Sequence, residues 1–153
     1  MSYTYNWSEQ YVNNMCQAID IYYPHQLSID TLSSRNGISV FYRPCESMNL
    51  GAGIILDSRV SDAEQWEDFG HELCHALWHA GNQLTMPMPF QVYQEHKSIN
   101  FAQYICIPTF MLERMELPAT ENEAVWSIME TFKVTREFAL KRLHQHLQNL
   151  MYR

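Results

Sequence analysis

His71, Glu72 and His75 stand in the run Phe69-Gly70-His71-Glu72-Leu73-Cys74-His75, which has the His-Glu-x-x-His spacing. On a helix, residues four apart lie one above the other, so both imidazoles can reach one ion while Glu72 projects beside them. The chemistry open to such a group is hydrolysis. Zinc brings the pKa of a bound water to about 7 and polarises a scissile carbonyl. A carboxylate that is not a ligand can take the proton from the water and pass it to the leaving amine. Zinc is therefore the expected cofactor, His71 and His75 are expected metal ligands, and Glu72 is the expected general base.

The helix needed to present this group is legible around it. Trp66, Phe69, Leu73, Ala76, Leu77 and Ala80 recur at three- and four-residue steps as one apolar stripe, and Asp68, His71, Glu72, His75 and His79 fill the adjacent one. Ser61-Asp62-Ala63-Glu64 supplies a capping-box start and Gly81 a stop, which predicts a helix from Asp62 to Ala80.

Catalytic zinc keeps three protein ligands and an open position, so a third ligand must come from elsewhere. His79 lies roughly 12 Å along the axis from His71, too far for tetrahedral coordination of one ion. Glu95 is better placed, because Val92, Ile99, Ala102 and Cys106 form an apolar face in the segment Gln91 to Cys106 with Glu95 in its middle. A carboxylate there is costly without a cation or several donors. His96 leaves that stripe by about 100°. A second electrophile for the tetrahedral intermediate is to be sought among Tyr93, His96, His79 and Tyr104, which the sequence does not rank.

The chain resembles the ImmA/IrrE-type metallopeptidases. The resemblance rests on Phe69 to His79, on Glu95 followed six residues later by Phe101-Ala102, and on Pro108 closing the second helix. Upstream, Leu27 to Asn36, the Gly37-Ile38-Ser39-Val40 turn and Gly53 to Arg59 are similar to the short helix and strands that lead to the motif, so the likeness covers roughly Leu27 to Pro108. Cys74 stands where the family commonly has Gly, and Ser98-Ile99-Asn100 where Ala-Asn-x is usual. The resemblance implies that His71, His75 and Glu95 bind zinc and that Glu72 is the base. It further implies a substrate class, helix-turn-helix transcriptional repressors of phages, mobile elements or stress responses, cleaved to relieve repression.

Composition bounds the setting. A chain of 153 residues with 46% hydrophobic residues fits one domain with a proper core. The expected organisation is a single metallopeptidase-like domain, with an N-terminal helix in 1–25, a core carrying the metal site in 26–108 and C-terminal helices in 109–153. No apolar run reaches membrane-spanning length and the first residues lack signal-peptide character, so a cytoplasmic protein with no membrane partner is expected. Cys16, Cys45, Cys74 and Cys106 are scattered, which fits reduced thiols. Cys74 is either a small buried filler or part of the pocket lining. A net charge of −7 disfavours nucleic acid and is compatible with a protein substrate. Met86 and Met88, in the proline-containing segment Leu84 to Phe90, suit a loop at the rim of the site.

The expected fold class is α+β, a mainly helical body with a small sheet and the motif helix lining a cleft. Helices are predicted over Ser8 to Ile21 and Leu27 to Arg35, strands over Ile38 to Arg43 and Ala52 to Ser58, and a loop over Pro44 to Gly51. Helices follow from Glu121 to Lys133 and from Thr135 to Leu150. This last pair resembles a helix-turn-helix, with positive charge from Lys133, Arg136, Lys141 and Arg142. Two other classes of function are therefore weighed, a zinc-containing DNA-binding regulator and a zinc scaffold that cuts nothing. Overall acidity counts against the first and intact Glu72 against the second.

Overall fold

The computed structural model describes residues 5–51, 53–79 and 100–151. They belong to an α+β fold with a small mixed sheet among many helices. Two compact units are formed, residues 28–102 and residues 1–27 with 103–153.

In the unit of residues 28–102, helix α2 (Ile29–Arg35) starts at Ser28, whose side chain accepts from the Thr31 N–H at 3.0 Å. It ends in a Schellman turn. Gly37 has φ +69°, the Ile38 N–H donates to the Ser33 carbonyl and the Gly37 N–H to that of Ser34. This turn delivers the chain into β1 (Ser39–Arg43). Strand β3 (Gly53–Asp57) is central in the order β1-β3-β2, parallel to β1 from Ser39↔Gly53 to Arg43↔Asp57. Strand β2 (Met48–Asn49) pairs antiparallel with β3 through Met48↔Ile55 and Asn49↔Ile54. It falls in the segment expected to be loop, since two residues are too few to show alternation. Ile54 and Leu56 share one face of β3 and are fully buried, and helix α3 (Asp62–His79) packs against this strand.

The other unit contains α1 (Trp7–Ala18), a 3₁₀ turn at Pro24–Gln26, α5 (Thr109–Glu113), α6 (Glu121–Phe132) and α7 (Arg136–Met151). Residues 100–106 are helical, here α4, and lead to Pro108, the N-cap of α5, so the helix at 100–106 closes before Pro108 as expected. Helix α1 opens with a capping box between Asn6 and Glu9. It stops three residues before the predicted end. Asp20 takes the left-handed conformation at φ +60° and the Ile21 N–H bonds back to the Cys16 carbonyl, which turns Ile21 into the core. The apolar stripe continues while the helix does not.

Helix α7 holds this unit together through a buried polar chain. Arg142 is fully buried, with Nε donating to the Ile107 carbonyl at 3.1 Å and Nη2 to Thr109 Oγ1 at 2.9 Å. Thr109 Oγ1 donates to Glu9 Oε2 at 2.8 Å. The guanidinium lies 5.0 Å from the centre of the Tyr104 ring. Arg142, expected on a positive helix-turn-helix surface, is thus a core residue, because a carbonyl and a hydroxyl that is itself bonded to the buried Glu9 carboxylate take up its donors. Tyr104 is buried as well, and its hydroxyl accepts from Asn6 Nδ2 at 3.1 Å and Gln145 Nε2 at 2.9 Å.

His146, one turn beyond Arg142, is buried, and desolvation followed by the nearby guanidinium pushes its pKa down to about 4. The folded form then keeps His146 neutral while an unfolded chain binds a proton near pH 6.5. Stability is full above about pH 6.5 and falls as pH drops towards 4. Replacing His146 with Gln is expected to remove about 3 kcal/mol of acid-induced loss across that window. Urea unfolding at pH 4.5 and pH 7.5 checks this, and an equal pH dependence in both proteins would refute it.

Candidate active site

The motif helix α3 begins after Ser61, whose hydroxyl accepts from the Glu64 N–H at 3.2 Å and donates to Glu64 Oε1 at 3.1 Å. The cap is the predicted one, with the glutamate closing on the serine hydroxyl. Trp66, Phe69, Leu73 and Ala76 are buried in the predicted phase, Phe69 and Leu73 completely. Burying such side chains contributes about 1.5–3 kcal/mol each and fixes the helix's rotation about its own axis. His71, Glu72 and His75 consequently lie half-buried beside the core stripe. Cys74 is fully buried and contributes to packing.

The His71 and His75 rings have centres 5.1 Å apart and planes at 74°. Two imidazoles bound to one zinc at about 2.0–2.1 Å with a tetrahedral angle have ring centres about 5 Å apart, so the observed pair has the spacing a shared ion requires. Nitrogen donors of this type suit zinc. Among the described residues no three His, Cys, Asp or Glu side chains converge into a group that could hold a metal. Glu95, the expected third ligand, lies outside the described residues, as do Tyr93, His96, the segment 84–90 and the side chain of His79. Tyr104 has its hydroxyl engaged by Asn6 and Gln145 within its own unit.

A cavity of about 290 Å³ adjoins the motif and is lined by Glu46, Ser47, Asp57, Asp68, His71 and Glu72. Ser47 Oγ donates to Asp68 Oδ2 at 2.9 Å and accepts from the Asp57 N–H at 2.9 Å. It thereby ties the first half of α3 to the end of β3. The Asp57 carboxylate is held by Arg59, Nε to Oδ1 at 2.9 Å and Nη2 to Oδ2 at 3.0 Å, which lowers its pKa below the ordinary carboxylate value. Burial raises the pKa of Asp68, helped by the charges of Asp57 and Glu64 and opposed by the Ser47 hydrogen bond and His71. Asp68 was visible as a polar neighbour of His71. Ser47 and Asp57 were not singled out, because they reach the site only through the β2–β3 pairing, which leaves no short-range pattern.

Comparison with known families puts the chain in a class of metallopeptidase type. A family model for the peptidase M78 family, the IrrE N-terminal-like domain, matches residues 33–144, and the chain belongs to that family. It is 41% identical over 139 residues to the phage-like element PBSX protein XkdA of Bacillus subtilis (strain 168), a match that covers 88% of this chain and 70% of that protein. It is 36% identical over 154 residues to the uncharacterized protein YqaB of the same organism, covering 98% of this chain and 90% of that protein. Among the described residues no helix is long and apolar enough to cross a membrane.

Shortening a side chain on the buried face of α3 should be felt as stability. Leu73→Ala, next to the motif but facing the core, is expected to lower the unfolding free energy by about 2–5 kcal/mol in urea titrations. A loss below about 1 kcal/mol would mean that α3 is not anchored through this face.

Proposed function

We propose that this protein is a cytoplasmic zinc-dependent endopeptidase that cleaves a helix-turn-helix transcriptional repressor and so relieves repression. The observation that carries the hydrolytic reading is the His71–His75 pair, 5.1 Å between ring centres, on a helix that also places Glu72 in an adjoining cavity. In this reading His71, His75 and Glu95 would hold zinc, which when bound would supply a water acidic enough to react near neutral pH and would polarise the scissile carbonyl. Glu72 takes the proton from the attacking water and returns it to the leaving nitrogen. The half-buried setting of Glu72 beside the core stripe limits competition from bulk solvent at that carboxylate.

The repressor as substrate is supported by membership of the IrrE-like family and by the likeness to a protein named for a phage-like element. The net charge of −7 suits a protein substrate better than direct binding to nucleic acid. Burial of Arg142 takes one cation away from the helix pair that motivated a DNA-binding reading.

Glu72→Gln should keep zinc and lose at least about 10²-fold in cleavage rate, since general-base contributions are of that order. Mass spectrometry of new protein termini in cells producing wild type or Glu72→Gln tests this, with metal content measured on both purified proteins. A few termini found only with the wild type are expected. Identical sets of termini in cells that contain the cognate repressor, with zinc retained by both proteins, would favour the non-proteolytic scaffold.

A further inference from the structure

We propose that Asp68, clamped by Ser47, is a positioning residue for His71, a fixed negative charge that orients the imidazole and strengthens it as a metal ligand. The inference rests on the metal-site reading above and adds a residue that supports it from outside the ligand set.

Three observations carry it. Asp68 precedes His71 by three residues on α3, which makes the two side chains neighbours on the helix surface, and both line the cavity that contains Glu72. Asp68 is not free to swing away, because Ser47 Oγ donates to its Oδ2 at 2.9 Å and Ser47 is itself held by the Asp57 N–H. Among the described residues no cation pairs with Asp68, and Arg59 is committed to Asp57 through both carboxylate oxygens.

A half-buried carboxylate held this way sits at a cost. Taking a carboxylate partly out of water disfavours its charged form, and the single hydroxyl donor from Ser47 offsets that only in part. An asparagine would accept the same hydrogen bond without that cost. A negative charge kept beside a metal-ligating histidine has a known physical use, because it sets the orientation of the ring and raises its basicity. Asp68 has the location for this role, and the Ser47 clamp gives it a fixed position relative to β3 and hence to the helix that carries both imidazoles.

The test uses the full chain stripped of metal, with zinc affinity measured by competition against a chromophoric chelator and the cobalt(II) absorption spectrum recorded as a second readout. Asp68→Asn is expected to weaken zinc binding about tenfold or more and to shift the cobalt bands. Ser47→Ala should give a smaller loss of the same kind, and Ser47→Thr, which retains the hydroxyl, should recover wild-type affinity. Glu46→Gln removes a different charge from the same cavity and should change affinity less than about twofold.

Zinc binding within about twofold of wild type in a folded Asp68→Asn protein would overturn the proposal. An equal loss in Glu46→Gln would overturn it too, since any nearby charge would then serve. If Asp68→Asn does not fold, Ser47→Ala decides on the same criterion. His71→Ala separates the two levels of inference: zinc binding untouched by it refutes the metal-site reading, whereas binding lost in His71→Ala and unaltered in Asp68→Asn refutes the positioning role alone.

Discussion

The half-submerged setting of helix α3 is the constraint on which the rest depends. A pair of imidazoles four residues apart faces one point only if the helix cannot roll, and a helix is kept from rolling by what it buries. Phe69, Leu73 and Ala76 are buried, α3 packs against β3, and the hydroxyl of Ser47 ties Asp68 to the end of that strand. Apolar burial supplies most of the energy and the hydrogen bond supplies direction, which area alone cannot give. The sheet in turn has few strands but a central β3 paired on both edges, so the surface under α3 is anchored from two sides.

The unit of residues 1–27 and 103–153 solves a different problem with a different kind of core. Its interior includes Glu9, Thr109, Arg142 and His146, and the first three are joined by hydrogen bonds that leave the guanidinium facing a carbonyl, a hydroxyl and an aromatic ring. Such a chain adds little net stability compared with apolar residues of similar volume, and it is demanding in geometry. Its effect is to dictate which turn of α7 meets the segment 107–109 and which turn of α1 meets Thr109.

The elements that obey local rules were legible in the sequence. The motif helix, its serine cap, the Asn36-Gly37 stop and the threonine starts of the last two helices all follow from side chains that bond within four residues of themselves. What escaped depends on partners far along the chain or on a backbone choice that no apolar pattern records. β2 exists only because β3 offers it an edge, and the early end of α1 rests on a left-handed Asp20 where the stripe through Ile21 argued for continuation. Arg142 was misread for the same reason. An arginine on a helix reads as surface until a threonine more than thirty residues away, itself bonded to Glu9, is found to accept from it. At the site, the His-Glu-x-x-His residues and their helical face were readable, whereas the support from Ser47 and Asp57 required the strand register.

The Glu9–Thr109–Arg142 chain also bears on how the sequence can drift. Removing any one member takes a hydrogen bond from its neighbours inside the unit, so single substitutions there are penalised more than the coordinated replacement of all three by apolar side chains. Positions 9, 109 and 142 therefore form one mutational unit although they lie in three separate stretches of the chain. Related chains should change at these sites together or not at all, and a sequence that kept the arginine while losing the glutamate would have to rebuild α1 to survive.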